Sequence, residues 1–271
     1  MLTLFEFINF ITMKKILLVT FIVSSFISLQ SCGGDDNVTP NGNGTNNGGG
    51  NNGGGGNTTT ANLPIFIDVE GNGDTTIEYD SKNRFSKITV EGNSSNVSIS
   101  EFKYTNDVLT EIKRTFGPLS NRVTEYHSFT YLNNIVSIDI SNKDDIEISI
   151  DNQGLALQTT FINSTYNSYS AQYLYDNNKN VISTISANFK QDMIYDNAKG
   201  IFKNVNMPQW ALFYSLTKSV DLISFPVSIY NNLVEISISP PYVFQYTYNN
   251  DNYPITFSSN YYGQKGNITY M

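Results

Sequence analysis

Paired carboxylates and a lone imidazole are the first places to look for chemistry in this chain. Asp144, Asp145, Glu147 and Asp151 form its densest acidic cluster, and two carboxylates flanking a bond would suit glycoside hydrolysis. At a strand's period of two, Asp145 and Glu147 share one face and Asp144 takes the other, a pattern that charged, solvated hairpin edges also produce. His127 is the only histidine, so a two-histidine metal site is excluded and a nucleophilic triad has one candidate base. No Gly-x-Ser-x-Gly accompanies it, and a structural or surface role is expected. No catalytic residue, metal site or cofactor is assigned.

Two aromatic groups are candidates for binding. Tyr242, Phe244, Tyr246 and Tyr248 alternate with Val243, Gln245 and Thr247, so all four rings fall on one face of a strand. Exposed, such a row would stack on sugars; buried, it is core, and core is the expectation for most of it, with the tyrosines at its ends partly exposed. Tyr261 and Tyr262 could extend either reading. Met207 to Thr217 holds the only tryptophan, and Pro208 followed by Gln209, Trp210, Ala211, Leu212, Phe213, Tyr214 and Leu216 predicts a short helix. That segment should plug an end of the sheet; alternatively Trp210 with Phe213 or Tyr214 forms the aromatic wall of a ligand site.

The remaining reactive side chain is the single cysteine. Leu29, Gln30, Ser31 and Cys32 close an apolar run from Ile16 that follows Lys14 and Lys15, and Gly33, Gly34, Asp35 and Asp36 come next. A positive n-region, a run too short to span a bilayer comfortably and small residues before the cysteine describe a cleaved signal. The end of the run resembles a bacterial lipobox, which implies removal of residues 1–31 and acylation of Cys32; the plainer alternative is an ordinary signal peptide with a chance cysteine. Two or three acyl chains give stable anchoring where one is marginal. Met1 to Thr12 lack lysine and arginine, so Met13 is the expected start. Asp35 and Asp36 resemble the acidic export signals that send Bacteroidota-type lipoproteins to the outer face of the outer membrane.

Residues 32–62 carry the acylated cysteine and then a tether. From Asp36 to Asn62, Asn, Gly and Thr dominate, and so little apolar surface cannot offset the entropy of ordering. The chain has 16 basic and 24 acidic residues, net −8. That surface repels phosphate backbones, which argues against nucleic-acid binding. No second cysteine is present to form a disulfide.

From residue 63 to 271 the pattern becomes one of repeated hairpins. Ile77, Tyr79, Asp80, Phe85 and Ile88 match Tyr173, Tyr175, Asp176, Val181 and Ile185, and Met193, Tyr195, Asp196, Ile201 and Val205 fit the same frame. Looser copies begin at Phe102, Phe129, Ile148 and Tyr246, at intervals of roughly 20 to 27 residues. Tyrosine before the turn should cover the hairpin end with its hydroxyl in water, while Asp or Asn bonds backbone amides two residues on. Calcium binding by the acidic turns is the weaker reading, since they lack the dense carboxylates and glycine of a calcium loop.

These Tyr-Asp turns resemble the YD-type hairpin repeats of bacterial surface proteins and, more closely, the uncharacterised repeat-containing lipoproteins of Bacteroidota. Tyr195, Asp196, Asn197, Lys199, Phe202, Lys203 and Asn204 look like that group's Tyr-Asp-Asn-x-Lys-x-Pro-Phe segment, with Ile201 in place of the proline. Tyr246, Tyr248, Asn249, Asn250, Asp251, Asn252, Tyr253 and Pro254 look like its closing hairpin, with Asn252 in place of a glycine. The resemblance implies no activity.

The expectation is an all-β domain, an antiparallel meander of repeated hairpins forming one long twisted sheet, with a β-sandwich or propeller as alternatives and a short helix near Trp210. The expected function is that of a non-enzymatic binding or structural module of the cell envelope. It would be lipid-anchored to the outer membrane through Cys32, on the extracellular face, with Trp210, Tyr214, Tyr242, Tyr246 and Tyr248 as candidate contacts for a glycan or protein ligand. The alternative is an extracellular polysaccharide-acting hydrolase using paired carboxylates.

Overall fold

The structure is a computed structural model that describes residues 62–71, 73–92, 96–141, 143, 145–152, 155–162, 169–187, 189–219, 229–260 and 263–271. The signal segment, Cys32 and the tether up to residue 61 lie outside the described residues, as do Asp144, Tyr261 and Tyr262. Sixteen strands form eight successive hairpins: β1 (Pro64–Val69) with β2 (Gly73–Tyr79), β3 (Phe85–Glu91) with β4 (Asn96–Thr105), β5 (Val108–Pro118) with β6 (Val123–Leu132), and β7 (Ile135–Ile140) with β8 (Asp145–Ile150). The second half continues with β9 (Ala156–Ile162) and β10 (Tyr169–Tyr175), β11 (Val181–Ser186) and β12 (Phe189–Tyr195), β13 (Leu233–Ser237) and β14 (Tyr242–Tyr248), and β15 (Pro254–Ser259) and β16 (Lys265–Tyr270). Among the described residues between β12 and β13 lies one helix, α1 (Gln209–Ser219).

The all-β class and the hairpin meander are as expected, but the sheet is not open, nor a sandwich or propeller. β16 pairs antiparallel with β1 and closes a sixteen-stranded barrel. Closure satisfies the backbone groups that two long free edges would have exposed.

The hairpin repeat supplies the device that closes it. Each odd strand starts at the rim where the chain enters, and each even strand returns there. At five junctions where an even strand meets the next odd strand, the register slips by a bulge at the tyrosine position: Tyr79 against Phe85, Tyr104 against Leu109, Tyr175 against Val181, Tyr195 against Leu233 and Tyr248 against Pro254; β6 and β7 pair without a slip, Tyr131 against Val136. The seam between β16 and β1 has the same slip, with Tyr270 against Pro64. Bulges increase local twist, and seven of them at one rim, counting Ile150 against Ala156, turn the sheet steadily in one direction.

The tyrosine hydroxyls do not reach water as expected. Tyr79 donates to the Pro64 carbonyl at 2.7 Å, Tyr104 to Phe85 at 2.9 Å, Tyr131 to Leu109 at 2.8 Å and Tyr175 to Ala156 at 3.0 Å. Tyr195 donates to Val181, Tyr246 to Leu233 and Tyr270 to Pro254. Each bond ties the end of one even strand to the start of the odd strand before it, so a ring of tyrosines laces the entry rim. Burial pushes the hydroxyls of Tyr79, Tyr104, Tyr131, Tyr175, Tyr195 and Tyr270 well above the usual phenol range, which keeps them donors. The turns behave as the sequence suggests: the Asp80, Asp176, Asp196 and Asn249 side chains accept from the amides of Lys82, Asn178, Ala198 and Asp251.

A barrel of sixteen strands is too wide for wall side chains alone to fill. The connection between β12 and β13 fills it. Ala198, Ile201, Phe202 and Val205 are buried across the entry rim, where Lys199 N bonds the Asn252 carbonyl and Asn206 N bonds the Asn83 carbonyl. The chain then turns inward as α1. Trp210 and Tyr214 pack with Phe129, Ile138, Ile148 and Ile236 on one side, while Leu212 and Leu216 pack with Phe85, Ile88, Ile67 and Phe257 on the other. A helix apolar on opposite faces is one buried on both.

Candidate functional site

Two places in the barrel gather chemistry-bearing side chains, one inside and one out. The inner one lies toward the far rim. Glu125 and His127 alternate inward on β6 ahead of Phe129, only 5 % and 1 % exposed. His127 Nδ1 and the Tyr214 hydroxyl of α1 lie 2.7 Å apart in a hydrogen bond, and His127 Nε2 is 3.6 Å from Glu125 Oε2. Lys143 from the turn after β7 pairs closely with Glu125, and Arg114 on β5 stands 3.9 Å from the same carboxylate with its guanidinium over the Phe116 ring.

Burial alone would raise the Glu125 carboxyl; the hydrogen bond and charge of Lys143, then the charges of Arg114 and His127, outweigh it and hold the group below the usual carboxylate range. Burial lowers Arg114 and, aided by the Glu125 charge, raises Tyr214 well above the phenol range. The arrangement is an ionic knot beside the His127–Tyr214 hydrogen bond that ties the internal helix to the wall. Of the structural or surface position expected for His127, burial rules out the surface; its partner on α1 is 87 residues away in the chain and could not be read in advance.

The outer place is a groove of about 610 Å³ across β14, β15, β16 and β1. One row of outward side chains runs Thr247, Thr256, Asn267 and Asp68; a second, nearer the far rim, runs Gln245, Ser258, Lys265 and Glu70. Thr247 and Thr256 share a hydrogen bond of 2.6 Å, and Asn267 Nδ2 donates to Asp68 Oδ2 at 3.2 Å. Below them the wall is tight: a Cβ on Gly266 would stand 2.4 Å from both the Asp68 carbonyl and the Phe257 ring. Hydroxyls, amides, two carboxylates and one ammonium make a hydrogen-bonding surface suited to a polyol or a peptide backbone.

The aromatic candidates fall elsewhere. Trp210 is buried, with ring centroids 5.1 Å from Phe129 and 5.6 Å from Tyr131, and Tyr214 is buried beside His127; neither offers a ring face to a ligand from outside. Tyr242 and Tyr246 are half-buried against the core. Tyr248 is the exposed member of the row, and its hydroxyl bonds the Asp196 carboxylate. Asp145 and Glu147 are exposed on the outside of β8, while Asp151 accepts from Leu155 N in the following turn. The structure thus brings His127 together with Tyr214 and Glu125, and separates the carboxylates of the proposed pair from any enclosed site. Among the described residues no group of three metal-ligating side chains occurs.

The outer wall as a whole is polar at mid-height. Glu78, Lys87, Glu101 and Lys113 form a ladder across β2 to β5 with contacts of 2.8 Å and 2.6 Å, and Thr76, Thr89, Ser128, Ser137, Glu147, Gln172, Asp192 and Glu235 continue it around the barrel. Membrane-spanning barrels have the opposite polarity, with an outward apolar band about 25 Å tall. No helix among the described residues is long and apolar enough to cross a membrane.

No protein-family model and no curated protein matches the chain. Among solved structures it is similar to a porin-like protein from Bacteroides uniformis ATCC 8492, at 11 % identity and a TM-score of 0.38, over 78 % of this chain and 98 % of that one.

Proposed function

We propose that this chain is a lipid-anchored protein of the outer membrane, displayed on the extracellular face, whose barrel stands in the aqueous phase as a non-enzymatic binding or structural module. The observation that carries the reading is the polarity of the barrel: apolar and plugged within, charged and hydroxylated without. A wall of that kind belongs in water, so attachment to a membrane falls to residues before the barrel, where Cys32 follows its apolar run. The groove over β14, β15, β16 and β1 is the surface offered to a glycan or protein ligand.

The test is metabolic labelling of cells with a clickable fatty acid, together with protease shaving of intact cells. Wild-type chain should carry label and lose its barrel to external protease, and Cys32→Ala should carry none. An unlabelled wild-type chain released into the soluble fraction would falsify the anchor. A labelled chain degraded only after the outer membrane is broken would move the module to the inner leaflet. Binding is tested separately, on glycan arrays and by pull-down, with Asp68→Ala and Asn267→Ala as groove variants.

A further inference from the structure

Exposed apolar side chains are unevenly distributed over the barrel. Of the fifteen large ones among the described residues, eleven lie at the entry rim, and four (Leu119, Val123, Tyr126 and Ile162) lie toward the far rim. Six of the eleven form an arc on consecutive parts of the wall: Leu132 at the end of β6, Ile135 at the start of β7, Leu157 on β9, Leu174 on β10, Ile182 on β11 and Ile194 on β12. Leu132 is 72 % exposed, Leu157 52 % and Leu174 48 %. Leu157 and Ile182 are the extra residues at bulges, which is why they point out of the barrel. The equivalent bulge residues on β3 and β5 are Ser86 and Thr110, so the same backbone device carries polar side chains on that part of the wall; Ile255 on β15 is a further exposed apolar one, isolated from the arc.

The geometry points to this arc as a shallow bilayer contact, seated in the interface of the membrane to which the chain is tethered. The inference rests on the anchored reading above in its choice of occupant. Residues before Leu63 join the barrel at this same rim, on β1 across the mouth from the centre of the arc, and the roughly 30 residues between Cys32 and that point are long enough for an anchor there to hold the arc near lipid at high local concentration. The arc is one or two residues deep on each strand, far less than a spanning band and suited to the acyl-headgroup boundary. It is apolar with no cluster of lysines, so the contact is to lipid chains and not to a particular headgroup. In a barrel of sixteen strands β9 lies opposite β1, so an arc centred on β9 turns the groove over β14 to β1 away from the bilayer.

The experiment uses the acyl-free chain from residue 33 to 271, which retains both core clusters and the β1–β16 seam, so its outcome does not depend on Cys32. It is titrated with vesicles of phosphatidylethanolamine and phosphatidylcholine. Half-binding is expected at on the order of 1 mM lipid, with little change on adding salt. Leu132→Ser, Leu174→Ser and Ile194→Ser combined should weaken binding roughly tenfold, and Leu119→Ser at the far rim should leave it unchanged. All four residues are exposed, and an unchanged urea midpoint verifies folding. No binding at several millimolar lipid overturns the proposal, as does binding that the triple variant retains. A concentration-dependent dimer abolished by the same substitutions would overturn it in favour of a second copy of the chain. Loss of the lipid label in cells, in contrast, bears on the anchor alone.

Discussion

Tyr270 in the last strand lies in register with Pro64 in the first, and the bulge beside them repeats the one beside Tyr79 and Phe85. Two strands at opposite ends of the chain thus meet in the geometry of a hairpin, without the turn. The Pro64 carbonyl in turn accepts the hydroxyl of Tyr79, so the ring of tyrosines continues through the seam.

The rim tyrosines should contribute through their hydroxyls as well as their rings. Tyr104→Phe leaves the Phe85 carbonyl without its donor in a half-buried setting, which costs about 1–2 kcal/mol. Tyr195→Phe, which loses the bond to Val181, should cost about the same, and the two should add because the sites are on separate parts of the rim. Urea unfolding of both single variants and the double variant measures this.

Gly266 is fixed by space. A methyl there meets the Phe257 ring and the Asp68 carbonyl at 2.4 Å each, so Gly266→Ala should destabilise by about 2–3 kcal/mol. Adding Phe257→Leu should recover only part of the loss, because the backbone oxygen of Asp68 remains. Thermal denaturation of the single and double variants distinguishes partial from full recovery.

Filling the lumen with a helix should leave a spectroscopic trace. Trp210 is the sole tryptophan and fully enclosed, so native emission should be blue-shifted and insensitive to iodide, reddening on unfolding. Trp210→Ala should cost about 3–5 kcal/mol, measured by circular dichroism since the fluorophore is lost.

The ionic knot gives the stability a defined response to acid. The Glu125 carboxyl is held below its ordinary value near 4.5 in the folded chain, so its contribution is present above that value and fades as pH falls through the lower, folded one. Glu125→Gln should destabilise at neutral pH by about 3 kcal/mol, since Lys143 and Arg114 lose their countercharge. The gap to wild type should narrow steadily below about pH 4.5. Stability curves that run parallel from pH 7 to pH 3 would contradict this account of Glu125.

The hairpins were legible because a tyrosine followed by Asp or Asn marks a local event, the end of a strand and the start of a turn. Closure was not, since it depends on twist summed over sixteen strands and no residue type signals the total. The helix was readable from Pro208 and the apolar residues after it. Its descent into the lumen was hinted at by Trp210, Leu212, Tyr214 and Leu216, which are too apolar on opposite faces for a surface helix. The direction of the tyrosine hydroxyls was misread because their acceptors lie on the neighbouring strand. The groove was invisible for a similar reason: Asp68 and Asn267 are 199 residues apart and become neighbours only through the seam.

The seam also sets the order of events as the chain is made. Of the barrel's strands β1 is made first and its partner β16 last, so one edge of the growing sheet stays unsatisfied until β16 emerges. Pairing across nearly the whole domain has high contact order, which slows folding and prolongs exposure of that edge. Completion of the barrel therefore waits on synthesis of β16.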